Sequence, residues 1–225
     1  MTEKNQIQHR KIRSFARRES RMSLLQRRSL EDSWGEYGID FEQKTLDFQE
    51  IFGNNNPVVF EIGFGMGEAF FEVVAANPGF NFIGVEVHRP GVGAFLSNCL
   101  EAEIKNARVM VADAVEVLEE MVADSSLDKI QIFFPDPWPK RKHHKRRLVQ
   151  NAFVALLAKK LKPGGILHLA TDWQDYAEHM KDVMATCSAF ARTEESALVA
   201  RAKTKYEQRG ERLGHGISDL IYKLK

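Results

Sequence analysis

A chain of 225 residues with 44% hydrophobic and 28% charged residues is long enough for one substantial core and has the composition of a globular protein. The net charge of +1 excludes a uniformly basic surface, and no apolar run approaches the roughly 20 residues of a membrane span, so a membrane protein is not expected. Cys99 and Cys187 lie far apart without CxxC spacing, which argues against a disulfide framework or a zinc site and predicts a reducing, cytoplasmic location.

Residues 1–45 are predicted to form a basic arm in front of a domain of residues 46–225. The first 28 residues carry nine Lys or Arg against two Glu, a balance of +7, so we expect a flexible arm or a marginal helix. A second basic tract, residues 140–147, adds six Lys or Arg and no acidic residue. The rest of the chain then carries a net charge of −12. Two local cationic patches on an acidic body predict docking of a polyanion.

Short β-branched runs alternate with segments of helical spacing from residue 40 onward. In chain order the predicted elements are a helix near 40–52, strand 58–62, helix 68–76, strand 80–87, helix 91–105, strand 108–112, helix 114–123, strand 129–134, helix 147–161, strand 166–170 and helix 173–187. This alternation is typical of a doubly wound, mostly parallel α/β sheet of the Rossmann-like kind. Ligands of such sheets bind outside the carboxyl ends of the strands.

A glycine-rich turn follows the first predicted strand. Gly63, Gly65 and Gly67 come directly after that strand and before a helix. Glycines allow a tight turn and a close approach of the backbone to a ligand at a helix amino terminus, so we expect these three to bind a cofactor. Because their spacing differs from the G-x-G-x-x-G of dinucleotide sites, a nicotinamide dehydrogenase is the weakest alternative.

Carboxylates stand at the ends of the first four predicted strands. They are Glu61, Glu86, Asp113 and Asp136. Glu86 lies where a carboxylate can bind both ribose hydroxyls of an adenosine, and Asp113 is placed to reach the adenine edge. Each also has a structural alternative: Asp113 begins a capping-box pattern with Glu116, Glu86 fits a solvated strand end, and Glu61 fits an edge carboxylate. A sulfonium cofactor is cationic and has no pyrophosphate, so a ring of carboxylates suits it better than it suits a dinucleotide. S-adenosylmethionine is therefore the predicted cofactor.

The stretch FFPDPWPK at residues 133–140 holds Asp136 between two prolines and leads into the basic tract. Because proline fixes φ and has no amide hydrogen, this loop is predicted to be stiff. A fixed carboxylate beside a phosphate-binding tract predicts chemistry on a nucleic acid, whereas a solvated charge run is the structural alternative. His143 and His144 are adjacent, a poor spacing for metal ligands, so no metal is predicted.

Several of these segments resemble the bacterial tRNA (guanine-N7-)-methyltransferases. The matching sequences are FEIGFGMG at 60–67, IGVEV at 83–87, FPDPWPK at 134–140 with KRR at 145–147, ATDW at 170–173 and TKYEQRG at 204–210. The resemblance implies a class I methyltransferase fold and methyl transfer from S-adenosylmethionine to N7 of a guanine in the tRNA variable loop.

The resemblance also assigns roles to individual residues. It implies that Glu61, Glu86, Asp113 and Asp136 bind the methyl donor, and that Asp136 is the catalytic residue. The substrate-binding positions are Lys140, Asp172, Thr204, Lys205, Tyr206 and Glu207, and the RNA-contacting ones are Lys142, His143, His144, Lys145, Arg146 and Arg147. The implied macromolecular partner is tRNA, and the sequence shows no obligate protein partner.

Some of these positions have second interpretations. A carboxylate such as Asp172 or Glu207 can accept from the N1–H and the amine of guanine, but Thr171 with Gln174, and Thr204 with Glu207, also fit capping boxes. The aromatic rings of Trp138 and Trp173 are candidates to stack on a flipped base or to pack against the protein.

Two further functions compete with this prediction. Amino-group methyltransferases carry Asn/Asp-Pro-Pro-aromatic after the fourth strand, whereas here Trp138 follows Pro137. A non-catalytic RNA-binding protein on the same scaffold would have no need of an intact glycine turn and acidic ring.

Overall fold

The structure, a computed structural model, describes residues 14–15, 21–194, 198–202, 207 and 216–225. Within these ranges seven strands form one sheet in the order β3-β2-β1-β4-β5-β7-β6. The strands are β1 (Val58–Ile62), β2 (Asn81–Val85), β3 (Ala107–Met110), β4 (Leu127–Phe133), β5 (Leu161–Thr171), β6 (Phe190–Arg192) and β7 (Ser218–Leu224). The first five are paired in parallel, and β7 runs antiparallel to both of its neighbours.

Helices connect and cover the strands. They are α1 (Leu24–Asp32), α2 (Trp34–Tyr37), α3 (Phe48–Phe52), α4 (Glu68–Ala76), α5 (Arg89–Glu101), α6 (Ala114–Glu120), α7 (Asn151–Lys160) and α8 (Gln174–Ala185). A 3₁₀ helix spans Arg141–Arg146. None of the described helices is long and apolar enough to cross a membrane.

The two faces of the sheet bury separate apolar clusters. Side chains of α6, α7 and α8 pack on one face around Phe60, Ile130 and Leu167, and those of α4 and α5 pack on the other around Val59 and Phe82. Helices therefore cover both faces of a mostly parallel sheet, and the predicted doubly wound α/β fold is confirmed.

The predicted elements mostly coincide with the observed ones, and the differences have physical reasons. The helix expected from residue 147 begins at Asn151, because the basic tract before it winds into the 3₁₀ helix. The helix expected near 40–52 is limited to Phe48–Phe52, where Asp47 accepts from the Glu50 amide as its N-cap. The strands β6 and β7 were not predicted.

Residues 21–40, which the sequence analysis assigned to the basic arm, are packed on the domain. Leu30 of α1 and Tyr37 of α2 are buried, and the Tyr37 hydroxyl donates to the Cys99 carbonyl of α5 at 3.3 Å. A Cβ at Gly93 of α5 would lie 2.3 Å from the Gln26 carbonyl oxygen, so this glycine lets the two helices approach. Residues 1–13 and 16–20 lie outside the described ranges, and the division of the chain at residue 45 stays a prediction.

Candidate active site

The register of the sheet brings the predicted acidic residues to one edge. Ile62, the last residue of β1, is paired with Val85 on one side and with Ile132 on the other. Parallel strands present their carboxyl ends at the same edge, so the residues that follow them are neighbours. The acids near this edge are Glu61 in β1, Glu86, Asp113 and Asp136 after β2, β3 and β4, and Asp172 after β5.

The glycine turn after β1 depends on left-handed backbone conformations. Gly63, Gly65 and Gly67 have φ of 78°, 61° and 79°, a region that costs other residues roughly 1–2 kcal/mol each. The Gly63 amide donates to the Val85 carbonyl at 2.8 Å, which joins the turn to β2. The turn leads directly into α4, so its backbone amides stand at a helix amino terminus.

Glu86 is held against this turn by backbone amides. One carboxylate oxygen accepts from the Gly65 amide at 2.7 Å, and the other accepts from the amides of Val87 at 2.6 Å and His88 at 2.8 Å. Glu86 is buried. The end of β2 and the glycine turn are therefore locked together, with a carboxylate between them.

Glu61 lies inside β1 rather than after it, and its side chain is buried. Burial raises the pKa of Glu61 to about 7, and a hydrogen bond from Gln131 on β4 opposes this shift. Lys129, two residues before Gln131 on the same face, is also buried, and burial lowers its pKa to about 7. Both Glu61 and Lys129 therefore titrate near neutral pH.

Asp113 serves as the N-cap of α6, as the alternative interpretation predicted, but its carboxylate accepts from the Val115 amide rather than forming the predicted capping box with Glu116. This hydrogen bond measures 3.0 Å, and the residue remains partly exposed. It also lies at one end of a cavity of about 700 Å³ between α6 and α7, whose lining includes the apolar side chains of Val115, Leu148 and Phe153. Capping and ligand contact are compatible at this residue.

The loop of Asp136 has a strained backbone on both sides of the carboxylate. Phe134 and Trp138 adopt positive φ values of 51° and 45°, which are rare for residues with side chains and cluster at functional sites. Asp136 itself is exposed to solvent. The loop is thus held in an unusual conformation that presents one carboxylate at the edge of the sheet.

Arg147 binds this loop from inside the protein, and its assignment as an RNA-contacting residue stays a prediction. Its Nε donates to the Pro137 carbonyl at 2.9 Å, its Nη2 donates to Asp175, and its guanidinium lies 4.9 Å from the ring centroid of Tyr176. Only 1% of the side chain is exposed, so it cannot reach a phosphate in this conformation. In the sequence Arg147 looks like its cationic neighbours, because the burial of one residue cannot be read from a run of like charges.

The remainder of the basic tract is more exposed than Arg147. Lys140, Lys142 and Lys145 are exposed, whereas His143, His144 and Arg146 are partly buried. Burial, followed by the charges of the cations around it, lowers the pKa of His143, so this ring adds little positive charge at neutral pH.

Trp138 is engaged within the protein. The Arg146 guanidinium lies 3.8 Å from the Trp138 ring centroid, and the indole Nε1 donates to the Ser14 carbonyl at 2.9 Å. The structure therefore shows Trp138 packed against the protein, with the guanidinium on one face of its ring.

Asp172 and Trp173 follow β5 at the same edge. Asp172 is half-buried and Trp173 is exposed, so both are accessible at this edge. The capping box predicted for Thr171 and Gln174 is wrong: the Thr171 hydroxyl accepts from the Trp173 amide instead, and α8 has no side-chain cap.

Glu207 is the member of the predicted substrate segment that the structure describes, since Thr204, Lys205 and Tyr206 lie outside the described residues. It is buried, and both of its carboxylate oxygens accept from Arg201. Arg201 and its second partner, Asp219 on β7, match no motif and were missed. Polar residues inside apolar strands, such as Gln131 and His168, were the available signal for a buried polar layer here.

The chain is similar to known methyltransferases. The family model described as "Putative methyltransferase" matches residues 55–220. A tRNA (guanine-N(7)-)-methyltransferase of Aeromonas hydrophila is 52% identical over 95% of this chain and 92% of its own. The enzyme of the same name from Yersinia enterocolitica is 50% identical over 96% and 92%, and that from Stutzerimonas stutzeri is 49% identical over 98% and 94%.

Solved structures share the fold at low sequence identity. The 16S rRNA methyltransferase KamB superposes with a TM-score of 0.58 at 14% identity, covering 80% of this chain and 94% of that one. The aminoglycoside resistance methyltransferase NpmB1 gives a TM-score of 0.54 at 15% identity, covering 79% and 91%. At these identities the likeness shows a shared fold alone.

Proposed function

The chain belongs to the tRNA (guanine-N7-)-methyltransferase family, and we propose that it transfers a methyl group from S-adenosylmethionine to N7 of a guanine in the variable loop of tRNA. One observation carries this proposal beyond the family name. The strained loop presents Asp136 at the sheet edge where the glycine turn, Glu86 and Asp113 also lie, and exposed cations follow it directly.

The residues at this edge fit a cationic methyl donor. The acidic ring matches the charge of a sulfonium, and the left-handed glycine turn leaves room for a ligand close to the backbone. We assign Gly63, Gly65, Gly67 and Glu61 to the methionine end of the donor, Glu86 to the ribose and Asp113 to the adenine. When bound, the donor supplies an electrophilic methyl group.

The chemistry asks little of a general base. Guanine N7 carries a lone pair and no proton, so attack on the methyl group needs no prior deprotonation. The protein has to align the two reactants, a contribution that reaches about 7–11 kcal/mol in favourable cases. It also has to stabilise positive charge as it moves onto the purine. Asp136 is exposed and fixed by its loop, so we assign both tasks to its carboxylate.

The tRNA is proposed to approach over the basic tract. Lys142 and Lys145 are exposed on it and suit phosphate contacts, with His143, His144 and Arg146 beside them. Lys140 and Asp172 are proposed to hold the guanine, together with the segment 204–207. The two free cysteines and the tRNA substrate support a location in the cytoplasm.

The proposal is tested by locating the methyl group. The protein is incubated with donor carrying a labelled methyl and with unmodified tRNA, and the product is treated with borohydride and aniline. We expect label on one guanine and chain scission at that guanine. Label on an exocyclic amine, without scission, would contradict the proposal and favour an amino-group methyltransferase.

A further inference from the structure

The first turn of α5 packs directly against the glycine turn. The contact is made by Gly91, the third residue of the helix, which is buried. A Cβ at Gly91 would lie 1.8 Å from the Gly65 carbonyl oxygen, 2.8 Å from the carbonyl carbon of the same residue and 3.2 Å from the Met66 Cα. Two backbone segments therefore meet here at a distance that only a glycine allows.

Gly65 is constrained at both of its backbone polar groups. Its amide donates to the Glu86 carboxylate at 2.7 Å, and its carbonyl oxygen lies against Gly91. Glu86 also accepts from the amide of His88, the N-cap of α5, and the His88 carbonyl accepts from the Gly91 amide at 2.9 Å. Gly65, Glu86, His88 and Gly91 thus form a closed ring of contacts, so a displacement of one of them is passed to the others.

A second contact with the glycine turn comes one helical turn later. A Cβ at Gly67 would lie 2.7 Å from the Cβ of Phe95, which is buried. The Phe95 ring also packs on Phe64 inside the turn, with 5.4 Å between the ring centroids. Because residues four apart share one face of a helix, Gly91 and Phe95 present a single face of α5 to the glycine turn.

The intervening glycine of α5 serves a different contact. A Cβ at Gly93 would lie 2.3 Å from the Gln26 carbonyl oxygen of α1. Residues two apart do not share a helix face, so α5 meets the glycine turn through Gly91 and meets α1 through Gly93. Glycine is unfavourable inside a helix relative to alanine, and close packing on a backbone carbonyl explains its presence at both positions.

We propose that α5 positions the binding site of the methyl donor through the face that carries Gly91 and Phe95, with Gly91 as the positioning residue that sets the place of Gly65 relative to Glu86. This inference rests on the proposed function, in which the glycine turn binds the methionine end of the donor and Glu86 binds the ribose. Gly91 acts through Gly65 and need not touch the donor.

The first test compares Gly91→Ala with Gly93→Ala. Each variant adds one methyl group against a backbone carbonyl of a neighbouring segment, so each should lower the thermal stability. The Kd of S-adenosylmethionine is measured by calorimetry at a temperature at which circular dichroism shows both variants folded. We expect Gly91→Ala to raise this Kd roughly tenfold and Gly93→Ala to leave it at the wild-type value. Equal Kd values for the two variants would overturn the inference.

The second measurement needs neither donor nor tRNA. The added methyl group of Gly91→Ala has to move the Gly65 carbonyl, and this movement weakens the hydrogen bond from the Gly65 amide to Glu86. Exchange of that amide with solvent, followed by NMR, should therefore be faster in Gly91→Ala and unchanged in Gly93→Ala. An unchanged exchange rate in Gly91→Ala would show that the turn has not moved, which contradicts the positioning role.

Steady-state kinetics separate positioning of the donor from a general loss of structure. Gly91→Ala should raise the KM for the donor and retain kcat at saturating donor, and its affinity for tRNA should be that of the wild type. A loss of kcat at saturating donor with an unchanged KM would overturn the inference.

Phe95→Leu supplies the result if Gly91→Ala does not fold. Its matched control is Phe82→Leu, because Phe82 is a buried residue of the same apolar cluster and packs on Phe70, with 6.1 Å between the ring centroids. Phe95→Leu should raise the donor Kd by about threefold, whereas Phe82→Leu should lower stability alone. Equal donor affinity in these two variants would refute a positioning role for α5.

The failure of the inference and the failure of the proposed function give different results. A wild-type protein that binds no S-adenosylmethionine would refute the proposed function. A wild-type protein that binds it, together with variants of equal Kd, would refute the role of α5 alone.

Discussion

The donor side and the substrate side of the sheet edge are built in different ways. On the donor side, backbone amides hold Glu86: its carboxylate accepts from its neighbours Val87 and His88 and from Gly65 in the glycine turn, 21 positions away. On the substrate side, Lys129 contacts Val199 and His168 contacts Asp219, pairs separated by 70 and 51 positions. Backbone conformation defines the first region, and buried charge defines the second.

Sequence patterns are informative about local backbone conformation and far less so about ion pairs between distant residues. A glycine that must adopt positive φ leaves a mark at its own position, whereas an ion pair depends on which strands the fold brings together. The antiparallel strand β7 inserts between β5 and β6 and delivers Asp219 to His168 and Arg201.

Asp136→Asn should remove the carboxylate while keeping its shape. Loss of a preorganised group facing developing charge costs about 10²–10³ in turnover, so we expect a loss of that size with tRNA affinity little changed. Single-turnover rates and tRNA binding isotherms measure the two effects. Asp182→Asn, an exposed aspartate on α8, is the matched control. A variant with full turnover would show that Asp136 is not the catalytic residue.

Arg147→Ala should destabilise the protein, unlike changes at its exposed neighbours. It removes buried charge-assisted hydrogen bonds to Pro137 and Asp175, so we expect a free energy of unfolding lower by about 1.5–3 kcal/mol. Lys145→Ala is the control. It should leave stability intact, but the slope of the logarithm of tRNA affinity against the logarithm of salt concentration should become shallower by about one. Denaturant unfolding and salt titrations distinguish the two. Unchanged stability in Arg147→Ala, together with a shallower salt slope, would support an RNA contact by Arg147.

Gly65→Ala should weaken donor binding, because a left-handed residue with a side chain costs about 1–2 kcal/mol, and the turn would shift to avoid this cost. Gly53→Ala is the control, since Gly53 has φ of 68° with open space around it at the end of α3. Both variants should lose similar stability in thermal unfolding. Only Gly65→Ala should raise the donor Kd, by roughly tenfold; equal Kd values would mean that the turn does not bind the donor.

Donor affinity should rise with pH through neutrality. Burial raises the pKa of Glu61 to about 7, so its carboxylate forms as the pH increases through 7 and attracts the cationic donor. Lys129, with a pKa lowered to about 7 by burial, loses its positive charge over the same range and acts in the same direction. We expect a roughly tenfold change in Kd between pH 6 and 8, measured by calorimetry. Glu61→Gln should remove most of this dependence. An unchanged pH profile in that variant would show that ionisation of Glu61 does not control donor affinity.

Sequence patterns predicted the alternating fold, the glycine turn and the acids at the strand ends because each is a local feature with a fixed period or spacing. They did not predict the burial of Arg147, which depends on α8 bringing Asp175 and Tyr176 beneath the loop. They also missed the docking of α1 on α5, since Leu30 and Tyr37 are isolated apolar residues in a polar segment. Arg201 was missed because its partners come from distant parts of the chain.

Hydrogen exchange is the most direct test of whether donor and tRNA bind next to each other at the carboxyl ends of the parallel strands. Donor alone should slow exchange of the amides of residues 63–67 and 86–88, and addition of tRNA to that complex should slow exchange across residues 134–146 while the first protection persists. Protection by tRNA on a surface away from residues 134–146, or loss of donor protection when tRNA binds, would contradict the account.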